Sequence, residues 1–262
     1  MPAAAVPETA ALDVAVAHAM LRRTSRATVE GRESPELLRI HRPEVPAVAF
    51  GRRDLRLPGF GAAATAARAA GFAPVVRAPG GRAVAYTPEA LVVDHVSPDP
   101  QWPSGLEARF DAFGQLWTGL LTALGVDARV GEVPGEYCPG SHSVNARGVV
   151  KLVGTAQRMV RGAWLFSAVL VHGGADELRP LLGEVYGALG LPFDVVSVGS
   201  LTEEAPGTSL DHVEAAVRAA YESRLGLAPL EVDPGLHAEA HALLGEHVVD
   251  EQGVDGDGVT PV

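Results

Sequence analysis

The chain has 262 residues, 47% of them hydrophobic and 20% charged, with a formal net charge of −11. That composition suits a folded domain and excludes an extended disordered chain, and the acidic balance argues against nucleic acid or an anionic membrane surface as the main partner. No run of about 20 apolar residues is present, no secretory leader is visible at the start, and the single cysteine, Cys138, excludes an internal disulfide and a cysteine-rich metal site. A cytoplasmic protein is the expectation.

Residues 1–8 are Ala/Pro-rich and read as a loose N-terminus, with Thr9 as the cap of a first helix that carries Leu12, Ala15, Val16, Ala19 and Met20 at helical spacing. Two strand-like runs follow, 36–42 and 47–52, parted by Pro43 and Pro46. An Ala-rich helix over 61–70 stops at Gly71; 73–77 reads as a strand, 78–82 as a Gly-rich turn, and 91–96 as another strand. The clearest helix spans 105–124, where Leu106, Phe110, Phe113, Trp117, Leu120, Leu121 and Leu124 form one stripe. A loop carrying Cys138 leads to two β-like runs, 149–160 and 163–172, joined as a hairpin at Arg161-Gly162. Helices are then expected through Leu178–Leu189, along the Leu210, Val213, Val217, Tyr221 face, and near 236–244. The segment 247–262 reads as a disordered acidic tail. Strands interrupted by helices predict an α+β fold, a single mixed-sheet domain flanked by helices over residues 9–246.

Cys138 lies in Gly135-Glu-Tyr-Cys-Pro-Gly140, so turn residues place it in a loop. A thiolate there suits acyl transfer through a thioester, while a free cysteine serves equally as a small hydrophobe. His142, four residues on, lowers the thiol pKa if the loop folds back, and is otherwise a solvated loop histidine. Lys151 opens a strand of small and apolar residues, where its ammonium either stabilises developing charge on a carbonyl or faces water. Gly154, Thr155 and Ala156 leave room for a ligand against the backbone. Arg77-Ala-Pro-Gly-Gly-Arg82 is a turn whose N–H groups could meet a carbonyl or phosphate, or simply a tight turn. The histidines, His237 and His241 included, show no metal-ligand spacing with a third partner, so no metal is expected.

Taken in order, these segments resemble the superfamily of lipoate-protein ligases, octanoyltransferases and biotin ligases over most of residues 10–225. Val75-Val-Arg-Ala-Pro-Gly-Gly-Arg-Ala-Val84 is similar to the family's acyl-pocket segment, and Val150-Lys-Leu-Val-Gly-Thr-Ala-Gln-Arg158 to the segment with its essential lysine. Tyr137-Cys-Pro-Gly140 ahead of that lysine resembles the cysteine-dependent lipoyl (octanoyl) amidotransferases. Arg82 stands where the ligases carry a third glycine and Tyr86 where they often carry histidine, departures that point away from adenylate chemistry.

The resemblance implies an acyltransferase of protein lipoylation. Cys138 would hold an octanoyl or lipoyl group as a thioester, with Lys151 positioning the carbonyl and stabilising the oxyanion. Arg77, Gly80, Gly81, Ala83, Gly154, Thr155 and Ala156 would shape the acyl pocket. Roughly six buried methylenes at about 0.8 kcal/mol each would contribute about 5 kcal/mol of binding. No cofactor is required in this reading. The partners would be lipoyl-domain acceptors and an octanoylated donor, the glycine-cleavage H protein or acyl carrier protein. The rivals are an ATP- and Mg-dependent lipoate or octanoate ligase, and a non-catalytic homologue that binds acyl groups or carriers.

Overall fold

The computed structural model describes residues 5–249 apart from 104 and 232. The first helix, α1 (Ala5–Val29), begins before Thr9, which is therefore inside it and not its cap. Pro7 falls in the first described turn, where the missing N–H removes no helical hydrogen bond. Of the expected loose N-terminus, residues 5–8 are thus helical and 1–4 lie outside the described residues.

Two strands, β1 (Leu37–His41) and β2 (Ala47–Phe50), follow the helix and enter different sheets. The helix α2 (Phe60–Ala69) carries the chain from β2 to the parallel strand β3 (Ala73–Val76), and β4 (Val84–Tyr86) pairs antiparallel on the other side of β2. This three-stranded sheet holds the sole parallel pairing among the described strands, and the helical crossover is what a parallel pair requires. The remaining strands are β5 (Ala90–Asp99), β6 (Ala128–Val130), β7 (Val144–Ala146), β8 (Val150–Val160) and β9 (Gly162–Val171). With β1 they form a six-stranded antiparallel sheet in the order β1-β5-β9-β8-β7-β6. The α+β expectation holds, with the strands divided between two sheets rather than gathered in one.

β5 runs three residues past the expected Val96, because Ser97, Pro98 and Asp99 stay in register with Trp164, Ala163 and Gly162 of β9. The hairpin at Arg161-Gly162 forms as expected, with Gly162 at φ +84°. The strands β4, β6 and β7, each three residues long, are too short for periodicity to reveal. Helices α3 (Leu106–Ala123), α4 (Ala175–Leu189), α5 (Leu201–Glu204), α6 (Leu210–Leu225) and α7 (Pro234–Ala242) complete the fold.

Three cores result. The small sheet packs on α2 and α4, and these helices approach so closely that a side chain on Gly59 would strike the backbone carbonyl of Ala188. The aromatic stripe of α3 and the apolar face of α6 cover one face of the large sheet, with Trp117 and Tyr221 fully buried. The stripe on α1 packs with α7 and with residues of β5 and β9. The expected disordered tail begins too early at 247. His247, Val248 and Val249 strap the free edge of β3, where Val76 N–H donates to the His247 carbonyl at 2.9 Å and Val248 bridges Val75. An edge strand needs partners for its polar groups, and this segment supplies them; residues 250–262 lie outside the described residues. No helix among the described residues is long and apolar enough to cross a membrane.

Candidate active site

The site lies where the two sheets meet. The small sheet supplies Arg77, one residue beyond β3, and the Gly80–Arg82 turn ahead of β4. The large sheet supplies Lys151 near the start of β8. The loop between β6 and β7 hangs Cys138 between them.

Cys138 has φ +44°, a left-handed conformation that costs a non-glycine residue about 1–2 kcal/mol. Its neighbours hold it there. The Cys138 N–H donates to the Tyr186 hydroxyl of α4 at 2.6 Å, and that hydroxyl donates to the Ala83 carbonyl at 2.9 Å. Lys151 Nζ donates to the carbonyls of Tyr137 and Cys138, both at 2.9 Å, and to Glu136 Oε1 at 3.3 Å. These three acceptors account for all three ammonium protons. Lys151 is 1% exposed, so the water-facing alternative for this residue is excluded. Glu136, equally buried, also accepts from Ser143 Oγ at 2.6 Å and from the N–H groups of Gly140 and Val133. A buried carboxylate and ammonium thus tie the two ends of the cysteine loop to β8.

Two donors converge on the sulfur: the Arg82 N–H at 3.2 Å and Arg77 Nη2 at 3.3 Å. Burial pushes the Cys138 thiol up, but the Arg77 guanidinium, the Lys151 ammonium and those hydrogen bonds outweigh it, and the thiol lies below the usual cysteine range. The sulfur is half-buried rather than sealed into the core. Gly81, at φ +100°, passes directly over it; a Cβ there would lie 2.7 Å from Sγ and 2.5 Å from Arg77 Nη2.

Beside the sulfur is a cavity of about 20 Å³ lined by Arg77, Val84, Ala85, Tyr137, Cys138, Gly154, Thr155, Ser167 and Val169. That volume admits about one water, so a larger group would fit only if lining side chains shifted. Arg77, Gly154 and Thr155 therefore line one slot together. Gly81 touches the sulfur, Ala83 reaches the loop through Tyr186, and Gly80 N–H donates to the Gln157 carbonyl. Ala156 lies one register row along the sheet, opposite Ser167. His142 turns toward α3. Its ring stacks on Phe110 at 4.6 Å and its Nε2 lies 3.5 Å from Asp111 and 3.6 Å from Glu107, so Arg77, Lys151 and the Arg82 N–H act on the thiol in its stead.

Glu136, Tyr186 and the Arg82 N–H escape a reading of the sequence. Two of them leave traces there: a glutamate two residues before the cysteine, and a tyrosine amid the apolar stripe of α4.

The two-sheet α+β domain thus sets a thiol, lowered in pKa by its neighbours, beside a narrow slot between the sheets. The chain belongs to the lipoyl protein ligase A/B catalytic domain family, whose model matches residues 13–221. Among curated relatives, an octanoyl-[GcvH]:protein N-octanoyltransferase of Geobacillus kaustophilus is 31% identical over 132 residues, 50% of this chain and 46% of the relative. A protein of the same name from Exiguobacterium sibiricum is 32% identical over 145 residues, 54% of this chain and 51% of the relative. The matched region thus spans about half the length of these relatives. A lipoate-protein ligase A solved with ATP bound superposes with a TM-score of 0.71 at 21% identity, over 89% of both chains. A bi-partite lipoate protein ligase from Thermoplasma acidophilum superposes at 0.66 and 21%, over 89% of this chain and 87% of the other. The two superpositions establish the shared fold.

Proposed function

We propose that this chain is an octanoyltransferase of protein lipoylation that carries the acyl group on Cys138. The observation that supports this most is the sulfur itself, half-buried, held in a left-handed turn, and met by two donors with the Lys151 ammonium close by. The names of the curated relatives point to the same chemistry, with an octanoylated carrier as donor and a second protein as acceptor.

In this mechanism the Cys138 thiolate attacks the carbonyl carbon of the octanoyl amide on the donor. The C–N bond breaks, the donor lysine amine leaves with the proton released when the thiol ionised, and a thioester remains on Cys138. The acceptor lysine amine then attacks the thioester, the C–S bond breaks, and the amine proton returns to the sulfur. Both tetrahedral intermediates place negative charge on an oxygen bonded one atom beyond Sγ, so the Arg82 N–H and Arg77, which donate to Sγ in the resting site, can turn to it. Lys151 contributes its charge, and a donor once the acyl oxygen replaces one of its carbonyl contacts. Exchange between an amide, a thioester and an amide needs no nucleotide, and none is required in this proposal.

The test is to incubate the protein with octanoylated H protein, and separately with S-octanoyl-N-acetylcysteamine, and to weigh it. A single octanoyl addition mapping to Cys138 is expected, with transfer to a lipoyl domain lost in Cys138→Ala. Octanoylation of the lipoyl domain that persists in Cys138→Ala and depends on ATP would replace this reading with a ligase.

A further inference from the structure

Although the chain carries a formal net charge of −11, the rim of the Gly80–Arg82 turn is basic. Arg52 and Arg53 are exposed and follow Gly51, whose backbone packs against the Gly81 carbonyl. Arg82 pairs with Asp54 at 3.2 Å. Arg158 of β8 donates to the Ala78 carbonyl at 3.1 Å, on the same loop. Arg22 of α1 and Arg52 share one carboxylate, Glu246, at 3.0 and 3.5 Å. Arg52 and Arg22 both act on Arg158, with Glu246 the acidic group that opposes them.

The supply of negative charge here is short. Asp54 is fully buried and already accepts from the Gly51 N–H as well as Arg82. The imidazoles of His18 and His247, which bond to each other at 3.0 Å, carry no negative charge to offset the arginines. Four arginines from α1, β8 and the two loops, Arg22, Arg52, Arg82 and Arg158, thus gather around two carboxylates, with Arg53 exposed beside Arg52, next to the turn whose N–H touches Sγ. Guanidinium groups gathered this way repel one another unless an anionic surface meets them.

Resting on the reading of the site as a carrier-dependent acyltransferase, we propose that this arginine rim is the docking surface for an acidic carrier protein that delivers its octanoyl-lysine to Cys138. Two acidic proteins repel at long range, so productive encounter needs a local basic patch at the site's mouth to steer and orient the carrier. A small uncharged donor reaches the sulfur without touching the rim.

The experiment compares two donors: an octanoylated H protein of net negative charge and S-octanoyl-N-acetylcysteamine. Binding of the H protein is titrated at about 50 mM and about 300 mM salt, a range over which the screening length falls from about 14 Å to about 6 Å. Expected is an about tenfold weaker Kd at high salt, and a comparable loss at low salt in Arg52→Glu/Arg53→Glu. Acylation of Cys138 by the small thioester stays within about twofold in all cases, because neutral encounter is not steered. Carrier binding indifferent to both salt and charge reversal would overturn the docking surface, as would an equal loss with both donors. If neither donor acylates Cys138 while carrier binding keeps its salt dependence, the chemistry proposed above fails and the docking surface stands.

Discussion

At the scale of residues, the Cys138 sulfur is governed by charge. Arg77 contributes both the larger favourable Coulombic effect and a hydrogen bond, so Arg77→Gln moves the pH profile of Cys138 alkylation to higher pH, since a thiol freed from a cation ionises later. Iodoacetamide rates measured from pH 6 to 10 check this, with the midpoint expected to rise on loss of the close charge. An unchanged profile would leave Lys151 and the Arg82 N–H in the role. Gly81→Ala faces a φ of +100° and contacts of 2.5 and 2.7 Å with Arg77 and Sγ, so acylation is expected to fall at least about a hundredfold, in line with misplacement of a reacting group. The same variant should keep its far-ultraviolet dichroism, because the turn is exposed and lies outside the three cores. Lys151→Met leaves Glu136 as a buried, uncompensated carboxylate and is expected to destabilise the fold by about 3–5 kcal/mol, read from urea unfolding.

At the scale of elements, β8 and the C-terminal strap each shape the site from a distance. Gly154 is a strand glycine whose absent side chain borders the slot, 3.4 Å from Lys151 Cε. Gly154→Val fills that space, so the variant is expected to lose octanoyl transfer while Cys138 remains open to iodoacetamide; equal loss of both would show loop damage instead. The strap joins β3 to α1 through His18 and His247. Burial, then the charges of His247 and of Arg158, Arg22 and Arg52, hold the His18 pKa down at about 3 against an ordinary 6.5, and burial lowers His247 as well. Among the described residues Glu246 is the acidic group acting on the pair, through His247, while the Val76 carbonyl accepts from the His247 ring at 2.6 Å. The unfolded chain therefore binds more protons than the folded one from pH 6.5 down toward 3. Stability is full above that window and falls as pH drops through it. Urea midpoints at pH 7 and pH 5 should differ for the wild type, and the difference should shrink in His18→Gln.

At the scale of the whole molecule, one tyrosine ties the cysteine loop to the small-sheet core. Tyr186 rises from α4 in the small-sheet core, and its hydroxyl joins the Ala83 carbonyl to the Cys138 N–H. Tyr186→Phe keeps the ring and removes the bridge, leaving both backbone groups short of a partner, a loss of about 1–3 kcal/mol. The informative readout is the thiol: a relaxed loop moves Sγ off the Arg82 N–H, and the alkylation profile should rise in pH alongside the loss of stability. A variant that is merely less stable, with the thiol unchanged, would reduce Tyr186 to packing.

Local signals are reliable where a segment carries its own pattern. The stripe on α3, the Arg161-Gly162 hairpin, the Ala-rich α2 and the motif residues Arg77, Cys138 and Lys151 can be read from neighbours a few positions away, because helical period and turn chemistry are short-range. The strands β4, β6 and β7 are too short to show a period and exist only through pairing. The start of α1 and the ordered residues 247–249 depend on surfaces that appear once the sheets assemble. So does the electrostatic partner of the thiol: His142 is nearest in sequence, whereas Arg77 and the Arg82 N–H arrive from another sheet. Sequence alone determined which groups could react, since side-chain chemistry is intrinsic to each residue. Tertiary structure decided which of them meet, because burial and distance set both the charge on a sulfur and the proton count around a lysine.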